Sequence, residues 1–176
     1  MKMHFKHLAI ILIAVFICNA FSLPNNIHKK VKKEINKTFN TTSFTLNPLI
    51  FESSDKVVSD FSQDHFFEVM QGEKQIGYAY IGSAPSKTDH FEYLVLFNPN
   101  LIIQKAKVFV YREDFGGEIG SKRWLRQFQG KPVETSFLLR QNIAAISGAT
   151  ISVKSMTKAI NDLNQSMYHL RLQQKI

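Results

Sequence analysis

Ser147, Gly148, Ala149 and Thr150, followed by Ile151 and Ser152, place small residues and hydroxyls together in one short stretch. Directly after them Val153, Met156, Ile160, Leu163, Met167 and Leu170 recur at spacings of 3, 4, 3, 4 and 3. That is one apolar stripe on a helix, with Lys154, Lys158, Asn161, Asp162, Asn164 and Gln165 turned away from it. The small residues therefore lead into a helix N-terminus, where unpaired amides and the helix dipole favour an anion. Gly148 and Ala149 let a ligand approach the main chain, and Thr150 puts a hydroxyl at the same spot. Ordinary capping of a helix by Ser or Thr is the other reading of this pattern.

The elements that must position this stretch lie upstream. Gly116, Gly117 and Gly120 make a loop that can lie against a planar ligand, and Ser121 can cap a short helix carrying Trp124, Leu125 and Phe128. Gly130 and Pro132 stop that helix. Trp124 reads as a core residue, a pocket wall, or both, since ligand pockets are largely apolar. Before the loop the alternation is strand-like. Phe66–Gln71 and residues 75–83 flank Gly72-Glu73-Lys74 as a hairpin. His90–Phe97 is a third, very apolar strand, and Asn98-Pro99-Asn100 turns it into a fourth over residues 101–111. One more strand is expected at residues 137–139. Successive hairpins make a meander, so the fold class is α+β: a twisted antiparallel sheet, a short helix after the Gly-rich loop, and a long C-terminal helix packed on the sheet.

Other chemistry finds less support. The six histidines fall in no metal-ligand spacing, so no metal site is expected. Glu113, Asp114 and Glu118 lack a partner group for general acid–base work. Ser147-Gly148 lacks the strand–Gly-x-Ser-x-Gly–helix context of a nucleophilic serine, and no catalytic residue is assigned. A net charge of +8 fits an anionic partner, but no nucleic-acid-binding signature accompanies it.

Ser-Gly-Ala-Thr ahead of Ile-Ser and a helix resembles the flavinylation motif of the FMN-binding domain family. That family includes the C subunit of the sodium-translocating NADH:quinone reductase and the G subunit of the Rnf complex. The run from Gly116 to Lys131 is similar to the family's glycine-rich turn and the short helix with Trp and Phe after it. The resemblance covers roughly residues 65–170. It implies FMN as cofactor, joined to Thr150 by a phosphoester that a secreted flavin transferase installs from FAD with magnesium. Ser147, Gly148, Ala149 and Ser152 would surround the phosphate, and Gly117, Gly120 and Trp124 would belong to the flavin pocket. Two places differ from the family pattern. Ala144 stands where an Asp is usual, and Gly117-Glu118-Ile119-Gly120 replaces Pro-Gly-Leu-Gly.

Residues 1–20 read as a secretory signal, with Lys2 and Lys6 before an apolar run over residues 8–18 and Ala20 for cleavage. The run is shorter than the ~18–20 residues of a membrane span, and an uncleaved anchor is the alternative. Cys18, the one cysteine, leaves with the signal, so no disulfide or thiol chemistry is expected. Residues 21–64 read as a basic helix and connector. Ile27, Val31, Ile35 and Phe39 recur at a spacing of 4 among Lys29, Lys30, Lys32, Lys33 and Lys37. Such a helix packs on the domain by its stripe or lies on an anionic membrane. Residues 65–176 read as the FMN-binding domain.

The expectation is an exported flavoprotein, periplasmic or on the outer side of the cytoplasmic membrane. The flavin supplies the redox chemistry and the protein binds and tunes it. No nicotinamide fingerprint is present, so it should act as an electron carrier served by partner proteins of the envelope rather than as an enzyme. Two rivals stand beside this reading. One is a flavin-free interaction module of the same fold, kept open by Ala144. The other is a periplasmic FMN-dependent reductase, for which the chain offers no evident proton donor.

Overall fold

The computed structural model describes residues 25–51, 57–62 and 64–176. The expected signal at residues 1–20, Cys18 included, lies outside the described residues. Helix α1 spans Asn25–Phe39, and five strands follow: β1 (Thr45–Pro48), β2 (Phe66–Gln71), β3 (Lys74–Pro85), β4 (His90–Phe97) and β5 (Ile103–Val110). A 3-10 turn at Gly117–Gly120, helix α2 (Lys122–Leu125), a second 3-10 turn at Arg126–Phe128 and helix α3 (Thr150–Leu172) complete the chain.

The strands form one antiparallel sheet in sequence order, β1-β2-β3-β4-β5. Helices cover both faces. On one, Val153, Met156, Ile160, Leu163, Met167 and Leu170 of α3 are fully buried in a core with Phe91, Tyr93, Val95 and Phe97 of β4. On the other, Ile27, Val31 and Ile35 of α1 pack with Leu94 and Leu96 of β4 and with Val69 and Ile81. Double coverage explains why β4 is apolar along its length rather than alternating. Each such side chain withdrawn from water contributes about 1.5–3 kcal/mol before chain entropy is counted. The α1 stripe is thus spent on the sheet, and the lysines occupy the helix's other faces. At Gly77 the backbone must stay bare, because a Cβ there would meet the Phe39 ring at 2.6 Å and the Phe97 carbonyl oxygen at 2.2 Å. No described helix is long and apolar enough to cross a membrane.

Three local expectations change. Thr45–Pro48, read as part of a connector and its continuation, pairs with β2 as the edge strand. Its four residues carry no alternation to announce it; the free edge of β2 supplies the ladder, and Pro48 is tolerated because the strand is an edge. Residues 137–139 are not a strand of the sheet. The Phe137 amide donates to Asn161 Oδ1 at 2.9 Å and its carbonyl accepts from Asn161 Nδ2 at 2.8 Å, so an α3 side chain replaces the ladder. For the same reason Asn161 and Asn164 do not face away: Asn164 is 2% exposed and donates to Thr135 O at 3.3 Å.

Candidate functional site

Thr150 opens α3, and Ala149 holds the cap position without a side-chain cap. Simple capping by Ser147 or Thr150 is therefore not what these residues do. The Ala149 amide donates to Ile146 O at 3.2 Å, and the Ala149 carbonyl accepts from the Val153 amide at 2.9 Å, closing the entry into the helix. Ala149 is buried, while Ser147, Gly148 and Thr150 are exposed. The turn thus offers its backbone and the Thr150 hydroxyl outward and anchors itself by one methyl.

The loop after β5 holds the other wall. Tyr111 donates its hydroxyl to Phe115 O at 3.1 Å, and its oxygen lies 3.1 Å from Ser152 Oγ, which is nearly fully buried. With the Tyr111 proton given to Phe115, the Ser152 hydroxyl is the donor in the second bond. One phenol therefore ties the loop to the first turn of α3. Gly116 packs directly on Ala149.

A third wall comes from the β3–β4 turn. Glu113 accepts from the Thr88 amide at 2.7 Å and from the Thr88 hydroxyl at 3.0 Å. The Ser86 hydroxyl, then these Thr88 donors, hold the Glu113 carboxyl down to about 2 against an ordinary 4.5. Arg112 braces the same corner, with Nη2 2.8 Å from Glu92 Oε1, Nη1 donating to His90 O at 2.7 Å and Nε 3.7 Å from Asp89 Oδ2.

Together these walls enclose a cleft of about 470 Å³ lined by Lys87, Thr88, residues 111–115 and residues 148–152. Its size falls within the roughly 300–1,000 Å³ usual for small-molecule sites. Phe115 is 77% exposed and Ile151 49% exposed, so two apolar surfaces sit beside the Thr150 hydroxyl with no protein covering them. Lys87 has no carboxylate partner among the described residues. An apolar planar group and a phosphate both find matching chemistry here, so the residues present fit FMN.

Of the residues singled out by sequence, Gly148, Ala149, Thr150 and Ser152 line this cleft, and Ser147 immediately precedes them. Gly117, Gly120 and Trp124 do not line it. Trp124 is buried edge-on to Phe128 at 5.4 Å, with Nε1 donating to Ala144 O at 2.8 Å, and Ser121 caps its helix at 3.2 Å. Gly117 is exposed, and Gly120 borders a different cleft. Sequence reasoning misses Tyr111, Phe115, Thr88 and Lys87, because two separate loops bring them in and no spacing links them.

No curated protein matches the chain. Residues 88–165 match the model of the FMN-binding domain. That stretch holds every residue lining the cleft except Lys87. Residues 88–165 are thus an FMN-binding domain, and FMN is the cofactor this domain supports.

Proposed function

We propose that the protein is an exported electron carrier whose FMN is joined by a phosphoester to Thr150. One observation carries the attachment: Thr150 is exposed at the first residue of α3, on the rim of the cleft, where no side chain caps the helix. A phosphate there lies at the positive end of the helix dipole, an interaction worth about 0.3–1 kcal/mol when exposed and more when sheltered. Bound FMN supplies transfer of one or two electrons. Thr150 Oγ1 would carry the phosphate, Lys87 would offset its charge, and Phe115 and Ile151 would exclude water from one side of the ring. Export rests on the basic start, apolar run and small residue at position 20. The absence of a nicotinamide fingerprint favours electron supply by partner proteins, with a flavin transferase as the earlier partner.

A second reading follows from Ala144. Its amide donates to Gln127 Oε1 at 2.6 Å and its carbonyl accepts from Trp124, so main-chain bonds alone hold the place where the family usually has Asp. If the transferase needs that carboxylate, the chain is a flavin-free interaction module.

Co-expression with a flavin transferase, followed by denaturing-gel fluorescence and peptide mass mapping, tests both. Wild type should carry flavin through denaturation, Thr150→Val should fold without it, and Ser147→Ala should lower the yield only. Flavin retained on Thr150→Val under denaturing conditions refutes the attachment site. Wild type that folds yet never fluoresces favours the interaction module.

A further inference from the structure

A second cleft, of about 390 Å³, shares no lining residue with the first and lies where α1, β5 and α2 meet. Five cations border it: Lys37 of α1, Lys105 and Lys107 of β5, Lys122 of α2 and Arg126 of the 3-10 turn that follows. Among the described residues its one carboxylate is Glu34, 2.7 Å from Lys105 Nζ. Five positive groups less one negative leave a formal +4 in a concave space. Among the described residues, Lys37, Lys107, Lys122 and Arg126 have no carboxylate within ion-pair distance. Nor can the backbones that bear them drift apart. The α1 stripe is buried on one side, and Leu125 and Phe128 are buried on the other. Like charges fixed around a cavity focus a positive potential that an anion relieves.

The lining narrows the class of anion. Among the described residues it contains no aromatic side chain, so a base or sugar ring has no stacking platform, which disfavours a nucleic-acid strand. It does contain Gln104 and Gln129 as amide donors beside a planar guanidinium, a set suited to several phosphate oxygens at once. We propose that this cleft binds a compact group bearing two or more phosphate charges, presented either by a soluble phosphorylated compound or by an anionic phospholipid headgroup.

The test uses the full-length flavin-loaded protein at low ionic strength, with pyrophosphate as the soluble probe. Phosphatidylcholine vesicles with and without cardiolipin form the second arm. The cleft variant Lys107→Gln/Lys122→Gln is compared with Lys74→Gln/Lys154→Gln, which removes the same charge elsewhere, and circular dichroism checks folding of both. Pyrophosphate affinity, or cardiolipin-dependent sedimentation, should fall about tenfold or more in the cleft variant and about twofold or less in the control. Cardiolipin binding that pyrophosphate displaces identifies the headgroup as the source. Pyrophosphate binding without vesicle binding identifies a soluble compound. Equal losses in the two variants, or no binding of wild type to either probe, overturn the proposal.

Discussion

Gly116 lies against Ala149 so closely that a Cβ on Gly116 would stand 2.3 Å from the Ala149 Cβ and 3.0 Å from its Cα. This contact sets the loop after β5 onto the start of α3, and φ of 81° at Gly116 adds a conformation that other residues resist. Gly116→Ala should therefore cost about 1–3 kcal/mol in denaturant unfolding and lower the flavin recovered per chain. Gly117→Ala, next in sequence but with nothing within 4 Å of the added methyl, should be near neutral in both measurements. Equal effects at the two glycines would mean that the loop tolerates displacement from the helix.

The α3 stripe supplies a second contrast. Ile160 and Leu163 are fully buried, whereas the Lys158 side chain is 74% exposed and pairs with Asp162 one turn on. Replacing either apolar residue by Ala should cost about 2–5 kcal/mol. Lys158→Ala should stay within about 0.5 kcal/mol. Asn161, half-buried, belongs with the costly positions despite its polarity, since its amide holds both the N–H and the C=O of Phe137. Asn161→Ala should cost about 1–3 kcal/mol by leaving those groups unpaired.

That pair of residue types shows what the sequence could and could not disclose. Apolar periodicity is a one-dimensional signal, and it placed β2, β3, β4 and α3 and the meander that joins them. It also placed the α1 stripe, although only the structure chooses the sheet over a membrane as its partner. Polar side chains carry no such signal. Asn161 looked solvated because its hydrogen bonds go to a loop 24 residues away. The site divided in the same way. The helix entry at residues 147–152 was legible because a run of small residues before a stripe is local. Tyr111 and Phe115 were not, since their part depends on where an adjacent loop folds back. Trp124 is the core residue that its place on an apolar helix face allows, with its indole N–H donating to Ala144 O inside the protein.

Acid should loosen the cleft through Glu113. Its carboxyl is depressed to about 2 in the folded protein from an ordinary 4.5, so its contribution is present above about 4.5 and is lost as pH falls towards about 2. The Ser86 hydroxyl has one proton, which also reaches Asp89 O at 2.8 Å, so the Thr88 donors are the better target. Thr88→Val removes the hydroxyl and should shrink the loss of stability across that window. Denaturant midpoints followed from neutral pH to about 2 should show a shallower fall for Glu113→Gln than for wild type. Parallel curves for the two proteins would show that the carboxylate does not hold the β3–β4 turn.

The link between Tyr111 and Ser152 makes the sharpest claim about how the site is held. Ser152 Oγ is buried and 3.1 Å from Tyr111 Oη, and that phenol also reaches Phe115 O at 3.1 Å. Removing either hydroxyl strands its partner, so Tyr111→Phe and Ser152→Ala should each cost about 1–2 kcal/mol. The double variant should cost less than the sum, with a coupling of about 0.5–1 kcal/mol, because the second change removes a group the first has already left unpaired. The two single variants should differ in one respect. Tyr111→Phe also frees Phe115 O and so should release the exposed Phe115 ring from its place beside Thr150, whereas Ser152→Ala leaves that bond intact. In flavin-loaded protein, fluorescence anisotropy should therefore fall more for Tyr111→Phe than for Ser152→Ala at matched stability. Additive stability losses would deny the hydrogen bond. Equal anisotropies would deny that the 111–115 loop forms a wall against the flavin.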